Sequence, residues 1–228
     1  GCAPSRASFL TGLRPCTTGV KDNQTKLFEN LPDVMTLPRH FRLNGYHTGG
    51  WGKIFHNAPG HNDPEAWDVG AEHLPISPKA NQGQGRHVFK NLPWARWLAS
   101  EAPDEGLPAG AFTTDAIRHL DSRPKDKPFF FTVGIGRPHD PYISPRKYFD
   151  LYKLEDMEIP HQPAMASEEP YPITIPDYWQ PIFEGASDQD RRELSRAYLA
   201  GVSYLDAQVG RLLDALEERG LEENTMVL

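Results

Sequence analysis

The apolar residues of this chain recur at intervals of three and four in three separate stretches. The first lies between Thr36, which can cap a helix, and Asn44-Gly45, which can end one. The second covers residues 111–120, and the third runs from about residue 188 to Gly220. Because this spacing places the apolar side chains on one face, we predict three amphipathic helices. The apolar positions are Leu37, Phe41 and Leu43; Phe112, Ala116, Ile117 and Leu120; and Leu194, Tyr198, Val202, Leu205, Val209, Leu212, Leu213 and Leu216.

Two further stretches have the composition of β-strands. Residues 46–53 read as a strand that runs into a glycine-rich loop, and residues 128–136 form a continuous apolar run. The continuous run predicts a central strand that is buried on both faces. Since the helix over 111–120 comes directly before this strand, the order of elements indicates an α/β layer fold, in which ligands bind at strand ends.

Two long stretches, Asn57 to about Leu107 and Pro138 to about Phe183, are rich in proline, glycine and polar residues and have no lasting period. They predict irregular loops with short helical turns, which tend to border a functional cleft. No boundary divides the chain, so we expect residues 1–228 to belong to one domain. We also expect this domain to be incomplete, because only Gly1 precedes Cys2 and because residues 224–228 read as a turn and the beginning of a strand.

The composition limits the partners that the chain can have. Of its 228 residues, 24 are Lys or Arg and 31 are Asp or Glu, which gives a net charge of −7. A chain with this charge has no overall positive field for nucleic acid, and no stretch approaches the roughly 18 apolar residues of a membrane span. We therefore expect neither a nucleic-acid partner nor a membrane span. Two cysteines, Cys2 and Cys16, do not make a disulfide framework.

The first residues of the chain have the chemistry of an anion site. Cys2 would lie at the N-terminus of a helix, where the helix dipole favours negative charge, and Pro4 suits the first turn. Arg6, four residues later, projects from the same face and can bind sulfate or phosphate. Taken singly, Cys2 is more simply interpreted as a small buried residue and Arg6 as a solvated one. A phosphatase loop of the Cys-x5-Arg type is excluded, because position 8 is Ser8.

The full string over residues 2–12, CAPSRASFLTG, resembles the signature of the type I, formylglycine-dependent sulfatases. Its fixed positions are Cys2, Pro4, Ser5, Arg6, Leu10, Thr11 and Gly12. The spacing between Lys53 and His56 is similar to that of the iduronate-2-sulfatase branch and its bacterial relatives, as are residues 17–20, 200–206 and 208–213. The resemblance implies an α/β/α sandwich of the alkaline phosphatase-like type. It also implies that residues 1–228 are an incomplete N-terminal catalytic sulfatase domain, without its first strand and its C-terminal part.

The resemblance also implies roles for five residues. Cys2 would be oxidised to formylglycine by a formylglycine-generating enzyme, and Arg6 would stabilise the hydrate of that aldehyde. Lys53 and His139 would bind sulfate oxygens, and His56 would orient or deprotonate the hydrate. From the residues alone, Lys53 and His56 are more simply surface residues, and His139 is equally a cap on a loop between prolines.

A sulfatase of this type uses one Ca²⁺ ion, which binds formylglycine and several carboxylates. Of these ligands only Cys2 lies in the chain, so we expect the fragment alone to bind Ca²⁺ poorly and to be inactive. The implied substrate is a sulfated sugar or glycosaminoglycan, and the implied location is periplasmic, secreted or lysosomal. Two alternatives remain open, namely a phosphonate or phosphate ester hydrolase of the same superfamily and a non-catalytic carbohydrate-binding relative.

Overall fold

The computed structural model describes residues 1–87, 96–159 and 186–228. The described residues form two compact units. The first contains residues 1–76, 108–136 and 210–228, and the second contains the described residues of 77–107 and 137–209. That residues 1–228 make a single domain stays a prediction, because two compact units are compatible with one domain or with two.

The regular elements of both units follow one another in a mixed α and β order. In chain order they are α1 (Cys2–Thr11), α2 (Pro15–Thr18), α3 (Leu27–Asn30), α4 (Leu37–Leu43), β1 (His47–Gly52), β2 (Val69–Ala71), β3 (Gly83–His87), β4 (Arg96–Ser100), α5 (Pro108–Ser122), β5 (Phe129–Gly134), β6 (Tyr142–Pro145), α6 (Arg146–Phe149) and α7 (Asp188–Glu217). Short 3₁₀ turns cover Pro78–Asn81, Asp104–Gly106, Leu154–Asp156 and Glu222–Asn224.

The first unit is built around a parallel sheet with the strand order β2-β1-β5. Successive side chains of a strand point to opposite faces, and helices meet this sheet on both. On one face, Phe130 of β5 stacks on Phe41 of α4, with ring centroids 4.4 Å apart. On the other face, Phe131 packs in a cluster around Phe112 of α5. The helix-sheet-helix layering expected from the sequence is therefore present in this unit.

Helix α4 of the first unit begins and ends where the sequence predicts. The hydroxyl of Thr36 caps α4 by accepting the N–H of Arg39 at 3.4 Å. Helix α1 ends at Gly12, which adopts a left-handed φ of 71°, a conformation that costs glycine little. Helix α5 begins three residues earlier than predicted and buries the predicted face through Phe112 and Leu120.

The second unit contains a mixed sheet with the strand order β3-β4-β6. Strand β4 pairs with β3 in the antiparallel direction and with β6 in the parallel direction. Helix α6 follows β6 directly and buries Tyr148 and Phe149. The first part of α7, up to Val209, also belongs to this unit.

The prediction of irregular structure over 57–107 and 138–183 was partly wrong. These stretches contain the strands β2, β3, β4 and β6, together with the predicted helical turns. Strand β2 has only three residues, and β3 has the sequence GQGRH, so neither offers an apolar alternation that sequence periodicity could detect. The part of this prediction over 160–183 lies outside the described residues.

The apolar run over 128–136 forms β5 as predicted, but β5 is not the central strand. Among the described residues its one partner is β1, which occupies the middle of the sheet, and every β5 side chain is partly exposed. The apolar run indicates only that both faces of the strand carry apolar side chains. It carries no information on how many neighbouring strands pair with it.

Helix α7 is present as predicted and ends close to Gly220, but its buried face matches the predicted one only in part, through Leu212, which packs against the cluster around Phe112. The apolar residues Tyr198, Val202 and Val209 are 36–47% exposed. The most buried side chains are the small Ala197 and Ala200 together with the large, polar Tyr204 and Gln208. Small side chains let the helix approach its neighbours closely, and hydropathy alone gives such positions little weight.

Residues 225–228 form no strand, contrary to the prediction from their β-branched and apolar sequence. Their side chains Met226, Val227 and Leu228 are 61–103% exposed, and a strand forms only against a partner. Among the described residues, no helix combines the length and the hydropathy that crossing a membrane requires.

Candidate active site

Helix α1 begins at Cys2, so the thiol lies where free backbone N–H groups and the helix dipole favour an anion. Gly1 offers no side-chain cap. Instead, the side-chain oxygen of Asn23 accepts the N–H of Ala3 at 2.9 Å. The start of the helix is therefore fixed by a residue twenty positions away, which the sequence analysis did not identify.

The guanidinium of Arg6 connects the thiol to another part of the chain. Its Nε–H donates to Sγ of Cys2 at 3.3 Å, as the four-residue spacing on one helix face allows. Its Nη1 donates to the backbone carbonyl of Ile54 at 2.8 Å and to that of Lys53. One rigid, planar group thus holds the N-terminus of α1 against the loop that follows β1.

The loop that follows β1 contains Lys53 and is called the Lys53 loop below. It is fixed at the carboxyl ends of two parallel strands. The N–H of Lys53 donates to the carbonyl of Gly134, at the end of β5, at 2.9 Å. A Cβ atom on Gly52, which has a φ of +70°, would lie 2.5 Å from that same carbonyl oxygen. A Cβ on Gly134 would lie 2.3 Å from the carbonyl of Lys53. Glycine at both positions permits the close approach, at the sheet edge where α/β folds bind ligands.

His56 lies in the same loop and has its Nδ1 buried without a hydrogen-bond partner. Burial lowers the pKa of His56, and the positive charges of His61, Lys53 and Arg6 lower it further. A lowered pKa favours the neutral imidazole at neutral pH, which is the form that can accept a proton. His56 therefore shares an electrostatic environment with two of the other predicted site residues.

His61 packs edge-to-face on His56, with ring centroids 5.0 Å apart and an interplanar angle of 78°. It is 6% exposed, and burial lowers its pKa, an effect that Lys26 reinforces and Glu29 opposes. The sequence analysis assigned no chemistry to His61, because no motif surrounds it. The five-residue spacing from His56 gave no signal that the two rings meet.

A cavity of about 190 Å³ lies beside His56 along β1 and β2. Its polar lining consists of carboxylates, amides and one imidazole, and its apolar lining includes the indole of Trp67. The lining residues are Gly50, Gly52, Ile54, Phe55, His56, Asn57, Asn62, Trp67, Asp68, Val69, Gly70, Ala71 and Glu72.

His139 belongs to the second unit and lies in the loop between β5 and β6. Its Nδ1 is 2.7 Å from the carbonyl oxygen of Asp140 and 3.1 Å from a carboxylate oxygen of the same residue. The imidazole is 62% exposed. The contacts therefore join Cys2, Arg6 and the Lys53 loop within the first unit, whereas the contacts of His139 are local to the second.

The described residues do not supply a Ca²⁺ site by themselves. Ca²⁺ takes six to eight oxygen ligands, several of them carboxylates. Within residues 1–87, 96–159 and 186–228, no group of three or more His, Cys, Asp or Glu side chains is arranged to hold a metal ion. Cys2, in its oxidised form, is the one predicted metal ligand in the chain, and further oxygen ligands would be needed beside it.

A parallel α/β sheet with a thiol, an arginine and the Lys53 loop gathered at its carboxyl edge has the features of an anion-binding site. The family model for sulfatases matches residues 1–228, and the chain belongs to the sulfatase family. Members of this family generally use a formylglycine and Ca²⁺. The family assignment confirms the resemblance inferred from the motif at residues 2–12.

Among curated proteins, the chain is similar to the iduronate 2-sulfatase of Mus musculus. The two are 34% identical over 252 residues, which cover 99% of this chain and 45% of that protein. The chain thus spans about half the length of the curated relatives it matches.

Solved structures of similar fold include the phosphonate monoester hydrolase of Silicibacter pomeroyi, with a TM-score of 0.68 and 17% identity over 97% of this chain and 51% of that one. Another is a protein in complex with its substrate D-glucosamine-2-N,6-O-disulfate. That structure has a TM-score of 0.57 and 20% identity over 96% of this chain and 53% of the other. These likenesses confirm the predicted α/β fold of the sulfatase and alkaline phosphatase-like type.

Proposed function

We propose that the full-length protein hydrolyses sulfate esters of sugars, using a formylglycine that a formylglycine-generating enzyme makes from Cys2. The observation that carries the proposal is the guanidinium of Arg6, which contacts the Cys2 thiol and the Lys53 loop at once. If Cys2 were only a structural residue and Arg6 only a solvated one, contacts between Arg6 and the Lys53 loop would not be expected. A site for an anionic ester needs cationic groups around one nucleophile.

The position of Cys2 fits a formylglycine. Its Sγ stands where an oxygen of the hydrated aldehyde would be, and the Nε–H of Arg6 already points at that atom. The cysteine lies at a helix N-terminus and remains partly exposed, so a substrate can approach it. Hydrated formylglycine supplies one hydroxyl that attacks sulfur and a second hydroxyl whose deprotonation expels sulfate and restores the aldehyde.

The other residues of the first unit have separate tasks in this proposal. Arg6 stabilises negative charge that develops on the hydrate, since a charged donor is most effective when it is already in place. Lys53 neutralises sulfate oxygens with its ammonium group. His56, whose pKa is lowered by burial and by its cationic neighbours, holds the hydrate and accepts a proton from it.

His139 carries the remaining proton transfer in this proposal. The sugar oxygen leaves as an alkoxide unless a proton reaches it, and an alkoxide of a sugar is a poor leaving group. The imidazole of His139 donates to a sulfate oxygen or to that leaving oxygen. No step of the proposed reaction is assigned to Ca²⁺, because the described residues do not hold its ligands.

A sugar as the leaving group rests on similarity at two levels. A relative at 34% identity is named an iduronate 2-sulfatase, and a fold neighbour was solved with a disulfated glucosamine. The cavity beside His56 adds Trp67 and several carboxamide and carboxylate groups next to the proposed sulfate site. Aromatic faces and such polar groups suit the apolar faces and hydroxyls of a sugar ring.

The decisive experiment uses the full-length protein produced together with a formylglycine-generating enzyme. Peptide mass spectrometry of the segment containing Cys2 is expected to show a loss of about 18 Da, which results when SH and one hydrogen are replaced by a carbonyl oxygen. Hydrolysis of sulfated disaccharides is then compared for wild type, Cys2→Ala and Cys16→Ser. Cys16 is the matched control, because it is an exposed free cysteine.

Each result has a definite meaning. Conversion of Cys2 together with sulfate release that Cys2→Ala abolishes and Cys16→Ser retains supports the proposal. Faster hydrolysis of an aryl phosphonate than of the aryl sulfate with the same leaving group would favour the phosphonate hydrolase alternative. An unmodified thiol, in cells that convert a control sulfatase, would contradict the proposed mechanism and favour a non-catalytic carbohydrate-binding protein.

A further inference from the structure

The loop that carries His139 is organised around the side chain of Arg137. Nη1 of Arg137 donates to the carbonyl of His139 at 3.0 Å and to the carbonyl of Pro141. These two carbonyls flank Asp140, so a single guanidinium binds the backbone on both sides of it. Strand β6 begins at the next residue, Tyr142, and holds the far end of the loop.

Arg137 is only partly exposed to solvent. Burial lowers the pKa of Arg137, and the neighbouring Tyr204, Asp140 and Tyr142 oppose that shift. Its guanidinium stays charged in any protein environment, so its N–H groups need acceptors once water is removed. The two backbone carbonyls provide them. Removing the guanidinium would therefore leave both carbonyls in a partly buried place without their donor.

The contacts with Asp140 determine which ring nitrogen of His139 can face the substrate. Nδ1 of His139 faces the carbonyl and the carboxylate of Asp140, at 2.7 and 3.1 Å. Both of these groups accept hydrogen bonds, so we assign a proton to Nδ1. The second ring nitrogen, Nε2, is then the atom that can meet an oxygen of the substrate, and the backbone that Arg137 holds determines its position.

We propose that Arg137 is a positioning residue for His139, which fixes the backbone of residues 139–141 so that Nε2 of His139 meets the leaving oxygen of the sulfate ester. This inference rests on the function proposed above, in which His139 supplies a proton. Arg137 itself does not touch substrate. Its effect is exerted through the two carbonyls, and displacement of a catalytic group by about 1 Å can cost about 100-fold in rate.

The test exploits the fact that proton donation matters more for a poor leaving group than for a good one. We would measure kcat/KM of the full-length, formylglycine-containing protein for a sugar sulfate and for 4-nitrophenyl sulfate. The variants are Arg137→Met, Arg137→Lys and His139→Gln. The matched control is Arg196→Met, because Arg196 of the same unit also donates to a backbone carbonyl, that of Phe149, at 2.8 and 3.1 Å.

We expect Arg137→Met to reduce kcat/KM for the sugar sulfate about 10- to 100-fold and for 4-nitrophenyl sulfate less than about threefold. His139→Gln should show the same selective loss, and Arg137→Lys a smaller one, because an ammonium group lacks the planar fork but keeps donors and charge. Arg196→Met should affect both substrates equally. If Arg137→Met does not fold, Arg137→Lys alone must still show the selective loss.

Two outcomes separate this inference from the proposed function. Equal losses for both substrates in the Arg137 variants, together with a selective loss in His139→Gln, would overturn the positioning role and leave the function intact. If the wild-type protein hydrolysed neither sulfate, the proposed function itself would fail. An equal loss for both substrates in His139→Gln would place His139 on a sulfate oxygen and would overturn the positioning of its Nε2 at the leaving oxygen.

Discussion

The replacement Arg6→Lys is the strongest test of the site, because it keeps the positive charge and removes the geometry. In the structure, Nε of Arg6 reaches the Cys2 thiol at 3.3 Å while Nη1 reaches the carbonyl of Ile54 at 2.8 Å and that of Lys53. These acceptors lie on two different segments of the chain. One ammonium group has no planar fork, so it cannot retain contacts on both sides of the arginine with the original directions.

The expected magnitude follows from the contacts that are lost. A hydrogen bond to a charged group contributes about 1.5–3 kcal/mol, and removal of one donor that stabilises an oxyanion costs about 3–4 kcal/mol in the transition state. We therefore expect Arg6→Lys to reduce kcat/KM about 100- to 1,000-fold. Arg14→Lys is the matched control, because Arg14 is exposed and follows the same helix. It should leave kcat/KM unchanged.

The assay must count the active enzyme, since in the proposed function Arg6 also belongs to the motif that a formylglycine-generating enzyme would read. Peptide mass spectrometry gives the fraction of Cys2 converted, and kcat/KM is expressed per converted molecule. A denaturant titration of the same samples verifies that both variants remain folded. An Arg6→Lys enzyme that is converted, folded and within about threefold of wild type would refute the reasoning, because geometry would then matter less than charge.

Two further predictions concern stability, measured by urea denaturation of the full-length protein. Arg39→Met should lower the free energy of unfolding by about 3–5 kcal/mol, because it leaves the fully buried carboxylate of Asp63 without its cation. Adding Asp63→Asn should recover part of this loss, and a cost below about 1 kcal/mol for Arg39→Met would contradict the argument. Asp68→Asn should cost about 1–2 kcal/mol at neutral pH, because it weakens hydrogen bonds that Asp68 accepts from Thr48 and Arg42. Burial alone would raise the pKa of Asp68, but these hydrogen bonds lower it below the usual 3.8, so the stabilisation is present above that pH and is lost as the pH falls through the folded-state pKa. The difference between wild type and Asp68→Asn should therefore shrink in acid, and a difference that grows in acid would contradict the assignment.

The sequence by itself determined several of the local elements and the chemistry of individual residues. Helix α4 follows from its caps and spacing, with Thr36 at its start and Asn44-Gly45 after its end, and the start of α1 follows from Pro4 in its first turn. Strands β1 and β5 follow from their glycine-rich and apolar runs. The position of Arg6 one helical turn after Cys2 was predictable for the same reason, because the α-helix fixes which side chains share a face.

The tertiary structure decided everything that depends on partners distant in the chain. Among the described residues, β5 has β1 as its one neighbour in the sheet, and α7 buries Ala197, Tyr204 and Gln208 more deeply than most of its apolar stripe. The same is true of the contacts between Arg6 and the carbonyls of Lys53 and Ile54, which are nearly fifty residues away. Periodicity and capping record local preferences of the chain, whereas pairing and close approach depend on surfaces that meet only after the chain has folded.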